Sequence, residues 1–381
     1  MSLLKKLIKR YLLSKGFDQK RANIYIEELF SEWKLSKYSF FKKLWAAKRG
    51  FYAGKIDLYQ LSEDNYKKYL SDYQRLWLHP LNNHFAIWIN DKITLKYVLQ
   101  KPFVIDGVEY DIMPEYYLYI ENDGHYSYLM DSPNEIQKDK DYLKNLLRLK
   151  GDLAVKLSNG AKGVGFYRLQ CINHNFYANG SNITEEFEKF ESSLKGYIVT
   201  EYLHQHKDFD KIWDKSECTL RLIALKNIND RYSGGQVSII ASFARFGTSL
   251  SGSTSNMSAG GVGISFDFNT GEYGDMFYRE PGMYEPEMMR CKMHPDTKMV
   301  LKGLKLPEWE ITKKVILCIC NHLSSLEFMG FDIIITNKGP KICEINSLPA
   351  MDVSQCMGGP LFDNEAASAF FNHKIEQKTK K

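Results

Sequence analysis

Long apolar runs are missing from the 381-residue chain: none approaches the ~18 consecutive apolar residues that cross a bilayer, which argues against a spanning helix. The first seventeen residues are interrupted by Lys5, Lys6, Lys9 and Arg10, which breaks any signal-peptide core and points to the cytoplasm. Cysteine is scarce. The seven present are odd in number and follow no framework spacing, so a disulfide scaffold is excluded. Cys318 and Cys320 fall in a predicted helix, where residues two apart point away from each other, so they make no zinc site. Net charge is low as well, at +5, too little for a nucleic-acid partner. No Gly-Lys-Ser/Thr opens a helix after a glycine loop. Gly247-Thr248-Ser249-Leu250-Ser251 lacks the last glycine of a nucleophile elbow, and there is no internal repeat. Aromatic residues, by contrast, are plentiful: 24 Tyr and 22 Phe within 44% apolar composition exclude disorder. One core rarely grows past ~250 to 300 residues, so two or more packed subdomains are expected.

The small net charge hides a division. Residues 1 to 50 hold thirteen Lys/Arg against four Asp/Glu, and the last eight residues hold four lysines and one glutamate. The body between them is therefore acidic, at about −7. Leu3, Leu4, Leu7, Ile8, Tyr11 and Leu12 recur at helical spacing opposite Lys5, Lys6, Lys9 and Arg10. Two readings fit this basic amphipathic helix: peripheral contact of residues 1 to 50 with an anionic membrane, or docking of the apolar stripe on the next helix, Ala22 to Trp33. Beyond His79-Pro80, short β-type runs alternate with turn signals such as Asp106-Gly107. A helix is predicted over Lys138 to Lys150. Strands are predicted at Leu153 to Leu157, Gly196 to Tyr202, Thr219 to Leu225, Gln236 to Phe246 and Gly263 to Phe268. A helix from Pro307 to about Met329 then precedes strands Gly330 to Thr336 and Lys341 to Asn346. The final lysine-rich residues read as disordered.

The last two strands carry the most chemistry. Asn337-Lys338-Gly339 reads as a three-residue hairpin loop that pairs Thr336 with Pro340. Equal steps back along both strands set Asp332 opposite Glu344, and the two-residue strand period puts Asn346 on the face of Glu344. Facing carboxylates repel unless a cation sits between them or one stays protonated. Three hard oxygen donors without Cys or His favour Mg²⁺, with Mn²⁺ as the alternative, and such a site completes its shell with water and phosphate oxygens. A glycosidase acid and base pair would leave the asparagine without a role.

Upstream, Leu153 to Leu157 carries Lys156 into a loop with Gly160, Gly163 and Gly165. Glycines let backbone N–H groups close on phosphate oxygens, and the ammonium adds a point charge. Gly196 to Leu203 is a strand ending in Glu201, and Arg221 and Arg245 lie within later β-runs, where an arginine needs an anion to be buried.

Taken in order, these pieces resemble the ATP-grasp superfamily of carboxylate ligases, and more closely its sugar-transfer-associated family, linked to bacterial surface polysaccharide synthesis. The phrases that carry the closer likeness are Glu201-Tyr202-Leu203-His204-Gln205-His206, Cys218-Thr219-Leu220-Arg221, Asn256-Met257-Ser258-Ala259-Gly260-Gly261-Val262, Gly330-Phe331-Asp332 and Glu344-Ile345-Asn346, within residues 80 to 362. The resemblance implies an α+β fold with two lobes gripping ATP. It divides the chain into a basic helical region (1–78), a small α/β pre-domain (79–145), a first lobe with the glycine loop (146–206), a second lobe with the metal site (207–373) and a basic tail (374–381). It makes Lys92 and Lys156 phosphate-binding lysines and Gly160 to Gly165 the closing loop. Glu201, Tyr202 and Leu203 become the adenine hinge, and Asp208 the ribose carboxylate. Arg221, Arg245 and Asn256 would act on the transferred phosphoryl group and the substrate, and Asp332, Glu344 and Asn346 would hold two Mg²⁺.

The activity so implied is ADP-forming. A small-molecule or glycan-linked carboxylate is activated as an acyl phosphate and passed to an amine, in the cytoplasm or at the inner face of the membrane, with Gly247 to Gly261 as a mobile substrate loop. An acceptor that keeps the phosphate would make the chain kinase-like. A nucleotide-binding scaffold without turnover is the third reading.

Overall fold

The structure is a computed structural model and describes residues 3–35, 37–160, 165–226, 236–278 and 289–380. Its front is helical, with helices at Leu3–Ser14, Gln19–Leu35, Phe40–Lys48 and Asp72–Leu78. Leu12, Phe17, Ala22, Tyr25 and Ile26 pack the first two together. A hairpin follows (β1, Phe103–Ile105; β2, Val108–Tyr110), turning on Asp106 and Gly107 at φ 53° and 81°, as an Asp-Gly pair allows.

The first large sheet comprises β3 (Tyr116–Ile120), β4 (Tyr126–Tyr128), β5 (Asp152–Leu157), β6 (Tyr167–Ile172), β7 (Asn175–Ala178), β8 (Ser181–Asn182) and β9 (Tyr197–Glu201). Their order is β4-β3-β9-β5-β6-β7-β8, so the sheet draws strands from both sides of residue 145. The second comprises β10 (Thr219–Lys226), β11 (Val237–Phe246), β12 (Val262–Phe266), β13 (Tyr273–Tyr278), β14 (Met289–Cys291), β15 (Phe328–Thr336) and β16 (Gly339–Asn346), ordered β14-β13-β12-β11-β10-β15-β16. The result is mixed α+β, as expected.

Every residue of β15 is buried. Helix Trp309–His322 covers one face of its sheet through Val315, Ile316 and Ile319, and Phe370 and Phe371 cover the other beside Phe328. Asp332 is the one charged residue in this apolar strand, so it must find cationic partners within the protein.

Three expectations change. The predicted Pro307 to Met329 helix stops at His322, because Phe328 and Met329 are spent in the ladder opposite Leu225 and Ala224. The Lys138 to Lys150 helix begins only at Tyr142. The tail is helical: Glu365–Thr379 continues through it, Lys374 pairs with Glu327, and Lys378 donates to the Trp77 carbonyl.

Candidate functional site

Between the two sheets lies a cleft of about 290 Å³. β15 and β16 supply its floor. Their turn is Asn337-Lys338 alone, with Thr336 opposite Gly339, one residue tighter than the predicted loop. A bulge at Cys343 adds the residue back, so Asp332 still faces Glu344. β10 lies on the other side of β15 with Arg221 opposite Asp332, so Arg221, Asp332 and Glu344 form one row across three strands. Arg245 on β11 stands opposite Thr219.

This register decides the electrostatics. Arg221 grips Asp332 with two hydrogen bonds of 2.7 and 2.8 Å, and Arg245 adds a third of 2.7 Å. Burial alone would raise the Asp332 carboxyl, but the two guanidiniums outweigh it and hold it below the ordinary carboxylate range. The repulsion expected between facing carboxylates is thus relieved by protein cations. Glu344 differs: burial raises its carboxyl, Lys92 opposes the shift and Asp332 reinforces it. Among the described residues no group donates a hydrogen bond to Glu344. Arg245 also donates to the Thr219 hydroxyl at 2.9 Å, which meets the Ser255 hydroxyl at 3.0 Å.

The opposite wall is β5 with the start of the glycine loop. Lys156 is half-buried there, 5.8 Å above the Tyr116 ring, and has no ion-pair partner among the described residues. Burial lowers its pKa, Cys343 opposes the shift and Lys92 adds to it. Lys92 opens helix Lys92–Val98 behind the cap Asp91, and its ammonium donates to the carbonyls of Gly160 at 3.0 Å and Ser158 at 3.4 Å. Gly165, at φ 71°, lies where a Cβ would meet the Tyr197 hydroxyl. Gly163 lies outside the described residues.

At the hinge, Glu201 lines the cleft edge, but its carboxylate is tied to the backbone. Its carboxylate accepts from the Glu115 amide at 3.1 Å, which ties β9 to the neighbouring chain. Past β9, the amides of Tyr202 and Leu203 make no hydrogen bond among the described residues, leaving two donors at the cleft edge. Arg168 stacks 4.1 Å over Tyr202 and pairs with Asp152 at 2.9 Å, and Asp152 also binds His204 at 3.1 Å.

Lys92, Lys156, Gly160, Glu201, Tyr202, Leu203, Arg245, Asp332 and Glu344 all line the cleft, and Arg221 reaches it through Asp332. Asp208 does not. It is half-buried and held by Lys211 at 2.6 Å on the short helix Lys207–Asp210, away from the cleft lining. Asn256 caps the turn Met257–Ala259, next to Ser253, Thr254 and Ser255, which do line the cleft. Asn346 ends β16 two residues past Glu344, outside the lining. The supposed mobile loop is knitted together: the Thr248 hydroxyl donates to the Gly260 carbonyl at 2.7 Å and its amide to the Ser251 hydroxyl at 2.8 Å.

Sequence reasoning missed Glu217. It lines the cleft, its carboxylate accepts from the Gln205 amide at 2.8 Å, and burial raises its pKa against that hydrogen bond and one from Tyr202. The buried Gln205 joins hinge to β10 by donating to the Trp213 carbonyl at 2.7 Å and accepting from the Cys218 amide at 2.6 Å. The only sequence signal was the position of Glu217 just ahead of Cys218-Thr219-Leu220-Arg221.

Asp332, Glu344 and Asn346 offer hard oxygens from one hairpin. Asp332 already accepts three guanidinium hydrogen bonds, whereas Glu344 has lone pairs not used by the described residues, so Glu344 is the donor that fits a magnesium ion completed by phosphate oxygens, with Asp332 and Asn346 beside it.

No curated protein matches the chain. Among solved structures it is similar to N5-carboxyaminoimidazole ribonucleotide synthetase from Thermotoga maritima (14% identity, TM-score 0.33, covering 68% of this chain and 42% of that one). It is also similar to D-alanyl-alanine synthetase A from Vibrio cholerae (13%, 0.41, covering 79% and 67%) and to D-alanine–D-alanine ligase from Bacillus anthracis (12%, 0.38, covering 79% and 71%). The chain spans less than half the length of the Thermotoga protein. The family model described as sugar-transfer associated ATP-grasp matches residues 81–368, more than half of the chain, which therefore belongs to that family.

Proposed function

We propose that the cleft binds ATP and activates a substrate carboxylate for attack by an amine, in the modification of a cell-surface glycan or a related small molecule or peptide. The observation that carries this reading is a pair of half-buried groups without a salt-bridge partner among the described residues, Lys156 and Glu344, lining one cleft with Lys92, whose ammonium meets only backbone carbonyls. A polyanion with a divalent cation satisfies both at once.

In this reading the free amides of Tyr202 and Leu203 take the adenine edge. Glu217, rather than Asp208, takes the ribose hydroxyls, since it is the carboxylate the fold brings to the hinge end. Lys156 and Lys92 hold the phosphates, Lys92 exchanging its bonds to loop carbonyls for phosphate oxygens. Bound at Asp332, Glu344 and Asn346, two magnesium ions would neutralise charge developing on the transferred phosphoryl group. A carboxylate oxygen of the substrate attacks the γ-phosphorus, the bond to ADP breaks, and Arg221 and Arg245 stabilise the charge that moves onto the equatorial oxygens. An amine then attacks the acyl carbon, phosphate leaves with its electron pair, and the amine proton passes to solvent. Arg245, Thr219, Ser255 and the neighbouring Asn256 stand where the carboxylate would enter. The setting we assign is the cytoplasm, at the inner face of the membrane.

The test is to follow ADP and free phosphate with candidate acids, with and without amines. Amine-dependent phosphate release is expected. ADP with a stable phosphorylated product would establish the kinase outcome instead, and nucleotide binding without ADP would establish the scaffold.

A further inference from the structure

The first helix divides its apolar residues between its two readings. Leu12 is buried and Ile8 packs beside it on the second helix, but Leu3, Leu4, Leu7 and Tyr11 remain 75, 56, 52 and 56% exposed. They are not isolated. Lys5 lies 5.1 Å over Phe30 of the second helix, Trp33 one turn further on lies 5.9 Å from Phe40, and Phe40 touches Phe41 at 5.8 Å. Phe40 and Phe41, at the start of the third helix, are themselves 60 and 79% exposed. Two leucine-rich turns and two phenylalanines thus gather at one end of the helical front.

Positive charge flanks them, with Lys37 paired to Asp57 at 3.1 Å. Lys5, Lys6, Lys9 and Arg10 share the first helix, and Lys34, Lys37, Lys42 and Lys43 flank the phenylalanines. Residues 3–14 and 34–43 contain no acidic residue. A second copy would bring like charge against like charge, and a basic protein partner is opposed for the same reason. No helix among the described residues is long and apolar enough to cross a membrane, so this end can lie on a bilayer but not span it.

We infer that this end docks on an anionic lipid surface, with Leu3, Leu4, Leu7, Phe40 and Phe41 entering the headgroup boundary and the lysines and Arg10 meeting the lipid phosphates. The inference deepens the membrane-face placement proposed above and rests on it only for location, since the contact requires neither nucleotide nor cleft.

The experiment is flotation of the full chain with vesicles of phosphatidylcholine alone or mixed with phosphatidylglycerol. Binding is expected to the mixed vesicles only, to fall at high salt, and to fall on the order of tenfold or more in a Leu4→Asp/Leu7→Asp/Phe41→Asp variant. Those positions are at the surface, so melting temperature and ATP turnover without vesicles should match the parent protein. Equal binding to both vesicle types, or undiminished binding by the triple variant, overturns the inference. So does a dimer that the variant dissociates while neither form floats, which would assign the face to a second copy. Flotation without ATP turnover would count against the ligase reading alone, and turnover without flotation against this one alone.

Discussion

On the wall of the cleft built by β10, β11 and β15, each charged group already has a protein partner: Arg221 and Arg245 close on Asp332, and Arg245 also binds Thr219. On the wall built by β5 and the glycine loop, Lys156 has no such partner and Lys92 has only backbone carbonyls. Glu344, on the floor, belongs electrically with the second wall, since no described residue hydrogen-bonds it. The first arrangement holds its geometry without ligand, as transition-state stabilisation requires of groups that must not reorganise during reaction. The second leaves Lys156 and Glu344 without a salt-bridge partner among the described residues, a place that an incoming polyanion and cation would fill. One wall is preorganised and the other is waiting.

The largest effect should come from the floor. Glu344→Gln keeps shape and removes the charge, so turnover should fall about 10³-fold or more while the fold and the melting temperature are retained. Normal turnover at ordinary magnesium would place the metal elsewhere and break the comparison.

A pair of substitutions then separates the walls. Arg221→Met leaves Asp332 buried with Arg245 alone, and should cost about 3 kcal/mol of stability. Lys156→Met removes an ammonium that burial already disfavours, so Tm should hold or rise by about 1–3 °C while nucleotide affinity drops roughly a hundredfold. Denaturant unfolding and nucleotide titration read both. If Lys156→Met were as destabilising as Arg221→Met, Lys156 would be a structural ion and the walls would not differ.

How much of this was legible beforehand depended on whether a signal was local. The opposition of Asp332 and Glu344 was found because two one-residue errors cancel: the turn is shorter than its glycine suggested, and the bulge at Cys343 restores the count. Neither leaves a clear mark, since Asn-Lys-Gly suits both loop lengths and a bulge at cysteine has no composition. That Arg221 would need an anion was readable, but which anion depended on a register between strands more than a hundred residues apart. Asp208 and Glu217 show the limit. Both follow the hinge, and only the Gln205 bridge, a tertiary contact without periodicity, turns one inward and leaves the other away from the cleft lining.

Smaller effects belong to the waiting wall. Gly165→Ala forces a Cβ onto a φ of 71° and to 2.8 Å from the Tyr197 hydroxyl. Strain of about 1–2 kcal/mol should shift the loop and weaken nucleotide binding around tenfold. Tyr197→Phe/Gly165→Ala, which clears the contact but not the φ, should recover only part. Full recovery would mean that crowding, rather than backbone strain, is responsible.

The smallest effect lies at the hinge, where the two walls are joined. Asp152 raises the His204 pKa above its ordinary 6.5, and the Asp152 carboxyl lies below its ordinary 3.8 because hydrogen bonds from His204 and Arg168 outweigh its burial. A raised histidine contributes stability that is complete below about pH 6.5 and is lost as pH rises through its folded value. A lowered aspartate contributes above about pH 3.8 and loses it as pH falls through its own folded value. The pair is therefore strongest between those limits and should weaken on the alkaline side. His204 is largely in water, so the change is worth about 0.3 kcal/mol. Melting curves should show the parent protein losing a small increment of Tm from pH 6 to 8 that His204→Asn lacks, with the two converging at pH 8. Parallel curves for the two proteins would mean that Arg168 alone holds Asp152, and that the hinge carries no titrating link between the walls.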